Sequence, residues 1–307
     1  MSSAAVVEVS GLKKNYGAVE AVRGISFSIH RGEVFGLLGP NGAGKTTTIE
    51  ILEGLRSRDA GQVAVCGLDP GVHSRELKER IGIQLQQTEL PEKITVAETL
   101  DLFASFYRRR VPAPTLLEWF GLQEKRKSFY ESLSGGQQQR LALALALVND
   151  PEVVMFDEPT AGLDPQTRRE VYGLIARLRE QQRTVLLTTH YIEEAEQLCD
   201  RVAIVDQGKV IALGTPRELI QRSQQSSRIE FAPRLPVELE RLRALEGAEE
   251  AHGLNGAYTL RSRQAPRTLM ALMRLLIADQ NELVEVHLER PSLEDVFIEL
   301  TGRSLRD

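Results

Sequence analysis

The stretch GEVFGLLGPNGAGKTTTIEILEGL (32–55) places an apolar run, a glycine-rich turn and a helical pattern in direct succession. Residues 32–39 are almost wholly apolar, as expected of a short strand buried on both faces. GPNGAGKT (39–46) then fits the spacing G-x-x-x-x-G-K-[ST] in the strand-to-helix setting that this spacing requires. The residue types have a physical reason. Glycines let consecutive backbone N–H groups turn inward around a phosphate, and the helix start adds partial positive charge there. Gly39, Pro40, Asn41, Gly42, Ala43, Gly44 and Lys45 form a candidate phosphate cradle, and Thr46 and Thr47 complete it. Lys45 supplies a full charge to the β- and γ-phosphates, and the Thr46 hydroxyl is placed to ligate Mg²⁺.

Outward from this stretch, VVMF (153–156), TVLLTTH (184–190) and RVAIVDQG (201–208) read as further apolar strands. Helical patterns cover 136–149, 165–180 and 192–199. Strands alternating with helices predict an α/β fold with a mostly parallel sheet. Val6–Val9 and Ile25–His30 alternate more clearly, which predicts an antiparallel β edge. VVMFDE (153–158) ends in two adjacent carboxylates. Strand alternation sends Asp157 toward Mg²⁺ and Glu158 toward a water in line with the γ-phosphate. LSGGQQQR (133–140) precedes a helix, with Ser134 as N-cap and Gly135-Gly136 leaving amides open to an anion. That is a second anion-binding helix start in a chain whose nucleotide already has a phosphate loop.

The 307 residues carry 43 acidic against 38 basic side chains, a net charge of −5, which argues against a nucleic-acid partner. Cys66 and Cys199 are the only cysteines, too few for a disulfide framework, as in a reducing compartment. His30, His73, His252 and His287 lack metal-ligand spacing. The opening MSSAAVVEVS lacks the basic start and apolar core of a secretory signal. The longest apolar run, 141–148, is eight residues, against about 20 for a membrane span. A soluble, cytoplasmic chain is expected, acting at a membrane through a partner. QRSQQSS (221–227) reads as a linker, giving domains 1–221 and 228–307 about a 222–227 connection. The second part follows the order βαββαβ of a small ferredoxin-like α+β unit.

GPNGAGKT, LSGGQ, VVMFDEP, AGLD (161–164) and TTH (188–190) together resemble, in order and spacing, the ATP-binding cassette ATPases, over about residues 6–220. The resemblance implies a P-loop cassette with a helical subdomain at about 88–150. It also implies ATP and Mg²⁺ as cofactors and head-to-tail pairing with a second copy or a related subunit. Each ATP would be clamped between the phosphate loop of one subunit and Ser134, Gly135, Gly136 and Gln137 of the other. Tyr16 would stack on adenine. Gln86 would sense Mg²⁺ and the attacking water, with Gln84 and Gln87 close in register. Asp164 would sit at the dimer interface, although AGLD departs from the commoner SALD. His190 would hold the γ-phosphate and the water, and Glu158 would activate that water.

Three uses fit such an engine. A translation regulator normally carries two cassettes, and a chromosome-organising ATPase needs a long coiled coil; neither is present. An integral-membrane permease is therefore the expected partner, gripped near Leu102, Phe103, Phe106 and Tyr107. The Arg108–Arg110 run reads as a solvated helix end, with lipid headgroups as the other reading. PSLEDVFIELTGR (291–303) is similar to the end of daunorubicin-resistance-type export ATPases, which implies an exporter of drugs or other hydrophobic compounds. An importer ATPase is the alternative, although its regulatory domain is usually a β-barrel.

Overall fold

The computed structural model describes residues 5–85, 90–223, 225–254 and 256–304. The chain divides into two compact units, one ending at Pro216 and one spanning Arg217–Ser304.

The first unit opens with β1 (Ala5–Tyr16), β2 (Val19–His30) and β3 (Val34–Leu38), then α1 (Lys45–Leu52), β4 (Ala60–Val65), α2 (Ser74–Lys78) and β5 (Ile81–Gln84). The helices α3 (Val96–Ser105), α4 (Ala113–Trp119) and α5 (Gly135–Leu145) follow. It continues through β6 (Val153–Asp157), α6 (Pro165–Glu180), β7 (Thr184–Thr189), α7 (Ile192–Leu198) and β8 (Arg201–Asp206) to β9 (Lys209–Gly214), and α8 (Pro216–Arg222) leads into the second unit.

Every residue of β3, β6 and β7 is buried, so these near-continuous apolar runs pair in parallel at the centre of a sheet ordered β5-β6-β7-β3-β8-β9. Only β9 runs antiparallel, against β8. The strands expected to be antiparallel are so, in a sheet of their own: β1 and β2 join β4 in a three-stranded antiparallel sheet. Their burial alternates because one face packs on the core and the other meets water. A core of Phe35, Leu37, Ile49, Val63, Met155 and Leu186 lies between the two sheets.

Helix starts are set by local chemistry. Ser134 caps α5 and Asp164 caps α6, where Pro165 takes the first turn that needs no N–H. Thr95 and Glu98 form a reciprocal capping box on α3.

The second unit holds β10 (Ser227–Pro233), α9 (Leu239–Arg243), β11 (Glu250–Leu254), β12 (Ala257–Ser262), α10 (Ala265–Ala278), β13 (Leu283–Glu289) and α11 (Leu293–Thr301). Its sheet runs β11-β12-β10-β13 with every neighbour antiparallel, the ferredoxin-like order. Ile229, Phe231, Leu260, Leu272 and Leu276 form its core. β10 begins at Ser227 and α8 reaches Arg222, so both elements intrude on the stretch read as a linker. Among the described residues, no helix is long and apolar enough to cross a membrane.

Candidate active site

The chain leaves β3 at Leu38 and must turn sharply before α1. At Gly39 an added Cβ would lie 2.1 Å from the Val205 carbonyl oxygen, and at Gly44 (φ +99°) it would lie 2.5 Å from that of Ala21. Only glycine fits either position. The first-turn amides of α1, from Lys45 through Thr47, have no carbonyl one turn back within the helix to accept them. Lys45 is buried and its ammonium donates to the Gly39 carbonyl at 2.8 Å and the Pro40 carbonyl at 3.1 Å. The same nitrogen lies 3.4 Å from Glu158 Oε1. Burial holds the Lys45 pKa below that of an ordinary lysine, against the opposing pull of Glu158 and Asp157.

Asp157 ends β6, buried, with the Thr46 hydroxyl 3.4 Å from its Oδ1. The Thr188 hydroxyl donates to the same oxygen. Burial raises the Asp157 pKa; these two hydroxyls work against that rise and the Glu158 charge adds to it. A buried carboxylate beside a hydroxyl is a hard-oxygen donor pair suited to Mg²⁺. Among the described residues, no three His, Cys, Asp or Glu side chains gather to hold a metal on their own.

Strand alternation does not explain where Glu158 goes. Its φ is +49°, a left-handed backbone that is uncommon outside glycine, and its N–H donates to Thr188 Oγ1 at 2.9 Å. The left-handed turn brings Glu158 back beside Lys45 instead of away from Asp157. His190, just past β7, puts Nδ1 3.2 Å from Glu158 Oε1, although that nitrogen lacks an aligned hydrogen-bond partner among the described residues. Lys45, Thr46, Asp157, Glu158, Thr188 and His190 thus converge. Thr188 enters as a residue that the TTH motif contained but that no spacing rule singled out.

The remaining expected residues lie elsewhere. Tyr16 is 40% exposed, with the Arg56 guanidinium 5.2 Å and the Lys14 ammonium 5.7 Å from its ring centre. Ser134 Oγ accepts the Gln137 N–H at 3.3 Å while Gln137 Oε1 accepts the Ser134 N–H at 3.0 Å. An added Cβ at Gly135 meets nothing within 4 Å, whereas one at Gly136 would lie 2.7 Å from Thr167 Cγ2. Gly136 is therefore demanded by the approach of α5 to α6. Asp164 spends its carboxylate capping α6, accepting from the N–H groups of Gln166 and Thr167 and from the Thr167 hydroxyl at 2.6 Å. That hydroxyl holds its pKa below the usual carboxylate range. Among the described residues, no hydrogen bond or ion pair ties Ser134–Gln137 or Asp164 to the Lys45 cluster. Gln86 and Gln87 lie outside the described residues. Gln84 is buried in β5 with its amide donating to the Leu85 carbonyl.

Two contacts around Glu158 were not legible beforehand. The Gln139 amide donates to the Pro159 carbonyl at 2.6 Å, and the Thr160 hydroxyl donates to the buried carboxylate of Glu194. They fasten the loop after Glu158 to α5 and α7.

A family model described as ABC transporter matches residues 22–161. The Nod factor export ATP-binding protein I of Ralstonia nicotianae is 40% identical, over 100% of this chain and 97% of its own. The linearmycin resistance ATP-binding protein of Bacillus subtilis is 36% identical, over 98% and 100%. Among solved structures, cbiO1 of Clostridium perfringens, part of an ABC transporter complex, superposes with a TM-score of 0.64 at 30% identity, covering 71% of this chain and 91% of that one. The cassette MJ0796, solved as a dimer in a post-hydrolysis state with ADP and Pi, gives 0.62 at 28% identity over 68% and 98%. With the phosphate loop, the paired carboxylates and the full-length relatives in agreement, the chain belongs to the ABC transporter family, as an ATP-binding, ATP-hydrolysing subunit.

Proposed function

We propose that this subunit pairs head to tail with a second copy, or a related subunit, and closes on two ATP molecules to drive a separate membrane permease in export. The observation that carries the reading is the convergence of Lys45, Thr46, Asp157, Glu158 and His190 while, among the described residues, no hydrogen bond or ion pair joins Ser134–Gln137 to them. One chain thus offers a phosphate cradle and, apart from it, a serine-capped helix start, which suits donation of the latter to a neighbour's nucleotide.

Phosphoryl transfer is mainly positioning and charge neutralisation. Glycine amides, Lys45 and the α1 N-terminus neutralise the phosphates. Glu158 orients or deprotonates the attacking water, and His190 beside it holds the γ-phosphate and water. Thr46 and Asp157, with Gln86, are the residues that would hold Mg²⁺, which when bound neutralises charge on the β- and γ-phosphates. Tyr16, exposed at the surface, would take the adenine. Asp164, through its cap on α6, would fix the loop at the subunit interface. Loss of the shared γ-phosphate on hydrolysis opens the pair, a switch by differential binding.

The permease reading is supported by a groove of about 530 Å³ between α2 and the end of α3, lined by Arg75, Glu76, Glu79, Phe106, Tyr107 and Arg108. Phe106 is 64% exposed there, an apolar anchor among charges. This would seat the subunit on the cytoplasmic face of the membrane. Export of hydrophobic compounds is supported by relatives named for Nod factor export and linearmycin resistance that match over their full lengths. Reconstitution with the permease that co-purifies tests both points: ATP-driven movement of cargo away from the face that carries this subunit is expected. Movement toward that face would make it an importer, and a co-purifying partner that is only soluble would end the transport reading.

A further inference from the structure

The second unit leaves one edge of its sheet open. β13 pairs with β10 alone among the described residues, and its far side has no strand neighbour. Val284 and Val286 on this edge are 68% and 43% exposed, and β13 contains no proline. An exposed apolar edge of this kind is a template for another strand. The helix before β13 is also apolar on an exposed face. α10 packs on β10 and β12, and its Met270, Met273 and Ile277 are exposed at positions i, i+3 and i+7 of one face.

We propose that two copies of this chain join along β13, antiparallel about a two-fold axis at Val286, making one eight-stranded sheet with the two α10 helices beside each other. The register follows from two constraints. Paired residues on antiparallel strands share a face, so a two-fold axis that keeps both sets of helices on one side must pass through a residue. Charge then selects which residue. Centring on Val286 sets Glu285 opposite the partner's His287, twice, and Val284 opposite Leu288. Centring on Glu285 opposes it to itself, and centring on His287 opposes Glu285 to Glu289; both set like charges face to face. On the helix-covered side, where Val286 pairs with the buried Phe231, Val286 would meet its counterpart. The occupant is therefore a second β13: centring on Leu288 also sets His287 opposite Glu289 but pairs only residues 287–289 of the strand, whereas centring on Val286 pairs its whole length with complementary charges. The contact is separate from any nucleotide-dependent closure of the cassettes.

The test uses the full chain without nucleotide. Sedimentation should give a dimer, and Val286→Cys should cross-link to itself on mild oxidation. Facing Cα atoms about 4.5–5.5 Å apart suit a disulfide. The natural Cys66 and Cys199 are both buried, so the unsubstituted chain should not cross-link. His287→Glu, which opposes Glu to Glu285, should weaken the dimer by about two- to thirtyfold over its two pairs. Adding Glu285→His, which inverts the pair, should restore it. These positions are exposed, so folding should be unchanged by melting temperature. A monomeric chain, a dimer indifferent to Val286→Lys and His287→Glu, or a charge inversion that fails to rescue would each overturn the proposal. So would a β13 edge that becomes protected only when the chain docks on a permease.

Discussion

One oxygen of Glu158 stands 3.4 Å from the Lys45 ammonium and 3.2 Å from His190 Nδ1, so a single carboxylate links the phosphate loop to the end of β7. If it positions or deprotonates water, Glu158→Gln should lower turnover by about a hundred- to ten-thousandfold while ATP affinity stays near that of the unsubstituted chain. Lys45→Ala should instead weaken ATP binding itself, measured by nucleotide titration. Near-normal hydrolysis in the first variant would remove Glu158 from the chemistry. The carboxylate pair was legible in VVMFDE because a strand terminus with two acids has few other uses beside a phosphate loop. The left-handed turn at Glu158 was not, because Thr188 on a neighbouring strand fixes it. Glu53 was equally hidden. It is fully buried past the end of α1, and neither carboxylate oxygen has a hydrogen-bond partner among the described residues. Burial first, then the Asp157 and Glu50 charges, pushes its pKa up to about 9 from 4.5. The folded chain therefore holds a proton that the unfolded chain releases above pH 4.5. Stability from this group is complete below that pH and drains away as pH rises toward 9. Denaturant unfolding of the nucleotide-free chain should show Glu53→Gln gaining on the unsubstituted protein from pH 5 to 9, by the order of 1 kcal/mol per pH unit. A constant difference across that range would place the Glu53 proton elsewhere.

At the scale of elements, the helix starts at Ser134 and Asp164 were readable from single residues, because a side-chain oxygen there satisfies N–H groups that the helix cannot. Their spatial relation was not readable. The glycine pair of LSGGQ reads as one anion-binding unit, yet Gly136 faces Thr167 on α6 and Gly135 faces open space. This divides the motif experimentally. Gly136→Ala should cost about 1–3 kcal/mol of stability, since its Cβ would enter Thr167. Gly135→Ala should leave the melting temperature unchanged or raised, as alanine suits a helix better than glycine. Its turnover should nevertheless fall if a phosphate from the facing subunit must approach that backbone. Equal turnover would mean that no phosphate comes there. β1 and β2 teach a related lesson: alternation in Val6–Val9 and Ile25–His30 identified one-sided strands but not the sheet they join, because strand partners are chosen by pairing with β4, some fifty residues away along the chain.

Across the whole molecule, the division into a cassette and a βαββαβ unit was visible in element order, because a change from buried runs to alternating strands changes the kind of sheet. The boundary was blurred by composition. Polar residues in 221–227 serve the end of α8 and the start of β10 as well as the connection between them. What element order leaves open is whether one chain can complete a nucleotide site. Complementation answers this most directly. Lys45→Ala destroys the phosphate cradle, and Ser134→Arg blocks the serine-capped helix start; each variant alone should hydrolyse ATP at background rate. Mixed together, a head-to-tail pair assembles one intact site from the Lys45 of one subunit and the Ser134 of the other, and turnover should return. If the mixture stays at background, or if Ser134→Arg alone retains full turnover, the nucleotide is not shared between two subunits and the proposed engine is wrong.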